Sequence, residues 1–226
     1  MASSPGDATG TSVDLLRRVL RADRGLLEGG GRGLGLRSGL WLLLLAGASI
    51  GLFLGTCDPT RPMQILYSSI KVPLLLGGTF GLTLPFLIAL LAVSGHLDQA
   101  PRTMRAVLAA EIGFAMCIGS LGPIVVLEAW SGIDYATIRL LWIGVFCLGL
   151  VVAGGLIRRL LADSVPGLSR ILVIWIGVHA LAGVQLAWTL RPFIGRPDSP
   201  TEFIRTEGLA NAYLQVGGML LEAILR

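Results

Sequence analysis

The sequence predicts an all-α polytopic membrane protein: five transmembrane helices, with an amphipathic surface helix at each end. Three observations carry this. Of 226 residues, 54% are hydrophobic and 14% charged, against about 25% charged in ordinary soluble domains. The mean hydropathy is +0.77, too apolar for a surface facing water. The apolar residues gather in five runs, 38–57, 72–94, 106–127, 140–157 and 171–190. Each is close to the length that crosses a hydrocarbon core of about 30 Å at about 1.5 Å per residue.

Taken in order, residues 1–12 are Ser, Gly, Pro, Ala, Thr and Asp after Met1, and read as a disordered tail. Thr11 or Ser12 can cap a helix with Asp14 in its first turn. Within 13–37, Val13, Leu16, Val19 and Leu20 fall on one side of that helix and Arg17, Arg18, Arg21 and Arg24 on the other. This is the pattern of a basic helix lying on an anionic membrane surface. Gly29, Gly30, Gly31, Gly33 and Gly35 follow as a hinge. The first apolar run lies behind this polar stretch, so it reads as an anchor rather than a signal-peptide core. The Met-Ala start argues against myristoylation.

The first span carries Gly47, Gly51 and Gly55, a repeated small-residue ridge that lets another helix approach closely. Its partner is expected within the same chain, with a second copy as the alternative. Lys71 marks the start of the second span, with Pro73 in its first turn and Pro85 at a kink. Residues 38–197 form the membrane domain. The segment 198–226 reads as a C-terminal amphipathic helix: Glu207, Asn211, Gln215, Gly218, Glu222 and Arg226 share one helical stripe. Glu222 would be expensive in lipid, which favours an interfacial position over a sixth span.

Eleven Lys and Arg residues fall on the N-terminal side of the expected topology and seven on the other. The positive-inside rule then puts the N-terminus in the cytoplasm. The five spans leave no room for a soluble catalytic domain. Cys57, Cys117 and Cys147 make no disulfide or metal spacing, and there is no HExxH, phosphate-binding glycine loop or haem pair. The expectation is therefore no metal, no cofactor and no nucleic acid. The net charge of +4 reflects loops and contact with anionic lipids in the bilayer.

Two ionisable residues lie inside spans. Glu111 is about 9 Å beyond Arg105 and His179 about 13 Å beyond Arg170, so the two can pair. A structural hydrogen bond is the plainer reading; a proton or ion path is the sharper one. Ser120 with His179 is the only conceivable hydrolase pair, and their depths differ. A second set gathers at the opposite face: Asp58, Lys71, Arg139, Gln185, Trp188, Arg191, Pro192 and Phe193. It reads as an interface network of snorkelling cations or as a site for an anionic headgroup. Within it, Gln185 to Pro197 ends the fifth span in a rigid, cationic, aromatic elbow.

Lys71-Val-Pro73, Leu121-Gly-Pro-Ile-Val125 and Gln185-x-x-Trp188-x-Leu-Arg-Pro-Phe-Ile-Gly195-x-Pro197, continued by Phe203, Arg205, Glu207, Asn211 and Tyr213, resemble a family of small bacterial multi-pass membrane proteins. Some of its members carry a label as actin-binding proteins of the Wiskott–Aldrich homology kind. Leu15-Leu-Arg-Arg-Val19 looks like a short basic-apolar actin motif, although a basic amphipathic helix beside a span produces the same string. The layout is also similar in topology to the Yip family of trafficking proteins. The resemblance implies a bacterial inner-membrane protein of five or six spans. The expected function is a non-enzymatic scaffold or accessory subunit, with protein partners in a membrane complex or as a homo-oligomer. A small-solute or ion transporter or lipid-handling protein using Glu111 and His179 or the outer cationic rim is the alternative, and an intramembrane enzyme a distant third.

Overall fold

The computed structural model describes residues 6–28, 33–58, 60–163, 165, 167–190 and 203. Among these there are six α-helices and no strand: α1 Gly6–Leu20, α2 Leu36–Thr56, α3 Pro62–Val93, α4 Ala100–Trp130, α5 Tyr135–Leu160 and α6 Leu168–Leu190. The last five are long and apolar enough to cross a membrane, which makes this a multi-pass membrane protein. The face from which α2, α4 and α6 set out is called the N-terminal face.

The helices do not pack in chain order. α2 packs on both α3 and α4, α5 packs on α4, and α6 returns to α3. The result is an arc, α5–α4–α2–α3–α6, whose two end helices do not pack on each other. Half of the most apolar stretch of α4 is buried inside the bundle, against 17% for α5 and for α6.

The tightest seam is α2–α3, and the sequence explains it. Gly47, Gly51 and Gly55 face α3 so closely that a Cβ on Gly51 would stand 2.2 Å from the Ser68 carbonyl oxygen. One on Gly55 would stand 2.5 Å from the Ile65 Cα. The ridge thus serves a partner within the chain.

Several boundaries differ from expectation. α3 begins at Pro62, not 72, and Lys71 lies inside it, 6% exposed. A lone lysine does not stop the helix because its ammonium packs over the Tyr67 and Phe203 rings, 5.9 and 5.3 Å from their centroids. Pro73 is an interior residue rather than a first-turn proline; that role belongs to Pro62. The turn that Pro73 distorts lies against Gly47, whose missing side chain leaves room for it. Arg102 and Arg105 lie within α4, and Arg158 and Arg159 close α5. These charges mark where the lipid should end, not where the helix does. α5 opens on an Asp134 cap whose carboxylate accepts from the Thr137 N–H.

α1 also starts earlier than expected, at Gly6 rather than after Thr11 or Ser12. Beyond α1, Ala22 takes a left-handed conformation (φ 52°) and the chain reverses into a 3-10 turn, Arg24–Leu27. Val19, Leu26, Leu27 and Leu34 are buried, while Val13 and Leu20 are exposed. The Arg105 guanidinium donates to the Leu27 carbonyl at 2.9 Å and ties the turn to α4. Asp23 caps the turn. Arg18 donates to its carboxylate at 2.7 Å and the Gly25 N–H at 2.9 Å, and these bonds hold that carboxyl below the usual range. Of the disordered tail expected at 1–12, residues 6–12 are instead helical; residues 1–5, the glycines at 29–31, the elbow at 191–197 and the C-terminal helix lie outside the described residues, apart from Phe203.

Candidate functional site

The concave side of the arc carries the chemistry. α4 and α6 start from the same face. Glu111 and His179 each lie eleven residues beyond the first residue of their helix, about 16 Å along it. Equal depth and the curvature of the arc bring them together: His179 Nε2 lies 2.8 Å from Glu111 Oε1. On its other side, Nδ1 lies 2.9 Å from Thr83 Oγ1. The Thr83 hydroxyl also reaches the Thr79 carbonyl at 2.8 Å. Trp175 donates its indole N–H to the Thr83 carbonyl at 2.9 Å and lays its ring 4.7 Å from the imidazole. A hydrogen-bonded chain thus runs from α3 through α6 to α4. Two ionisable groups of opposite sign that bond each other are far cheaper to bury than either charge alone.

This pair forms one end of a cavity of about 740 Å³. Its walls are apolar and aromatic: Leu76 from α3, Phe114 from α4, Trp142, Phe146 and Leu150 from α5, and Val184 from α6. At the other end are Tyr135 and Arg139, with the guanidinium 5.8 Å from the ring centroid. From Arg139 to Leu150 is about 16 Å along α5. Because α5 and α6 do not pack on each other, the cavity faces sideways between them.

The outer set divides. Arg139 lines the cavity. Lys71 does not; it is buried among rings on α3. Asp58 pairs with Arg61 at 3.5 Å and accepts from the Thr60 N–H at 3.2 Å. Gln185 and Trp188 lie in the last turns of α6, where the Thr189 hydroxyl donates to the Gln185 carbonyl at 3.0 Å. Arg191, Pro192 and Phe193 fall outside the described residues. Ser120 donates to the Cys117 carbonyl at 2.8 Å and takes no part in the His179 network. The sequence carried no comparable signal for Trp175 or for the aromatic wall. Thr79 and Thr83 did carry one: two hydroxyls one turn apart on an apolar helix, both buried. Among the described residues no three His, Cys, Asp or Glu side chains gather as metal ligands would.

Comparison with known proteins finds no matching family model, no matching curated protein and no matching solved structure.

Proposed function

We propose that this chain is a non-enzymatic lipid-handling membrane protein that takes an amphipathic molecule sideways from the bilayer into the cavity between α5 and α6. One observation carries the reading. The cavity, about 740 Å³, has the size of a small-molecule site; it is apolar along its length and polar at both ends. An acyl-like tail suits the aromatic wall. A polar or anionic head suits Arg139 and Tyr135, and a hydrogen-bonding group suits the Glu111–His179 pair.

The location belongs to the same reading: a bacterial inner membrane, the N-terminal face cytoplasmic on the eleven-to-seven split of cations, and the basic side of α1 along an anionic surface. The test uses a photoactivatable fatty acid in vesicles containing the full chain. Cross-links should map to α5 and α6 cavity residues such as Phe146 and Val184, and Val184→Trp should reduce those at Phe146 severalfold. Cross-links spread evenly over the lipid-facing sides of all five spans would refute it.

A scaffold or accessory-subunit role is the second reading. The observation favouring it is that α5 and α6 do not pack on each other, which leaves a slot that a partner's helix could fill. Stoichiometric co-purification of a partner whose contact blocks the cross-linking would favour that role.

A further inference from the structure

A second pocket, of about 600 Å³, lies at the N-terminal face between the α1 hairpin and the end of α5. Arg21 and Arg24 line it from one side and Arg158 and Arg159 from the other, with Gly155 and Ala162 as its floor. The two sides are more than 130 residues apart in the chain and barely pack on each other. Among the described residues, the ion pair between Arg24 and Asp163 joins them. Arg21, Arg158 and Arg159 have no acidic partner among those residues. Four arginines therefore line one gap; of the carboxylates beside it, Asp163 pairs with Arg24 and Asp23 is bonded to Arg18. Like charges brought together in this way repel, and an anion between them removes that cost. Ala22, in the left-handed region (φ 52°), lies in the turn between Arg21 and Arg24 and lines the pocket with them.

We infer that this pocket is a phosphate-binding site, bridging the α1 hairpin to α5, and that the headgroup of an anionic phospholipid of that leaflet supplies the phosphate. The fork of each guanidinium matches two phosphate oxygens, and the pocket lies at the end of the spanning helix α5, the end of a span being where basic residues meet anionic headgroups. The pocket is separate from the cavity between α5 and α6, and its ligand does not depend on what that cavity holds.

The test titrates the purified full chain with phosphatidylglycerol and reads bound lipid by native mass spectrometry. Arg158→Gln with Arg159→Gln should weaken binding about twenty-five-fold, at roughly a factor of five per arginine. Arg102→Gln with Arg170→Gln removes the same charge from the same face outside the pocket and should leave binding within about twofold. Gly155→Trp, which fills the gap and keeps every arginine, should weaken binding as the first pair does. Competition by millimolar inorganic pyrophosphate would assign the site to a soluble phosphate instead and overturn the lipid source. Equal loss in both double variants, or no loss in Gly155→Trp, would overturn the site itself.

Discussion

The α2–α3 seam and the open faces of α5 and α6 carry the same kind of residue and come out opposite. In the seam, glycines let two backbones touch. On α5 and α6, Gly144, Gly154, Gly155 and Gly177 face open space, and an added Cβ at any of them meets nothing within 4 Å. Small residues make a close contact only where another helix presents a matching face. The cavity between α5 and α6 is walled instead by larger apolar and aromatic side chains.

The largest expected effect comes from attacking the seam. Gly51→Leu must displace the Ser68 backbone, and overpacking of this kind costs about 1–3 kcal/mol or more. The melting temperature should fall by about 2–12 °C or more, at roughly 2–4 °C per kcal/mol. Gly144→Ala on α5 should leave it unchanged or raise it by about 2 °C, since helix propensity improves and nothing is displaced. Equal losses in thermal scans of the two variants would abolish the contrast.

The next effect concerns the Glu111–His179 link between α4 and α6. His179→Leu leaves Glu111 without its partner, at about 1–3 kcal/mol for an unsatisfied buried group. A melting point about 2–12 °C lower should follow, with most of it recovered when Glu111→Leu is added. No recovery in the double variant would show that the two residues do not act as a pair. Val184→Trp should shift melting by less than about 2 °C, because Val184 is 52% exposed and faces open space; a larger drop would mean that the cavity is tighter than its walls suggest.

The smallest effect lies outside both regions. The Asp23 carboxyl is held low by Arg18 and by the Gly25 N–H. Its contribution is present above the ordinary aspartate value of about 4 and is lost as pH falls through the lower folded value. Hydrogen exchange at Leu26 and Leu27, corrected for the intrinsic pH dependence of exchange, should therefore lose protection below about pH 4. In Asp23→Asn that protection should already be lower at neutral pH and nearly flat with pH. A wild-type protection profile that stays flat down to about pH 3 would rule out this contribution.

The membrane class and the five spans were legible because hydropathy directly reports the length of chain that must lie in lipid. The closeness of Glu111 and His179 was legible for a related reason: depth can be counted from the flanking arginines. Which helix touches which was not legible. Hydropathy does not distinguish lipid from a neighbouring helix, so neither the arc nor the cavity could be read from composition. Lys71 misleads for a physical reason. A charge ordinarily ends a span, yet two aromatic rings let the helix run through this one. Pro73 misleads in the same way, since the glycine facing it sits on another helix.

The order of the arc also constrains how the chain is made. α2 and α3 can pair as soon as both have left the ribosome, and α4 and α5 can then add in turn to the other side of α2. α6 emerges last and must return to α3, past two helices already in place. Until it arrives, the Thr83 carbonyl is without Trp175, and the Thr83 hydroxyl and the Glu111 carboxyl are without His179. Closure of the bundle is thus a late event in biogenesis. A chain cut short before residue 168 would hold a polar stripe open to lipid, a form that membrane quality control can recognise.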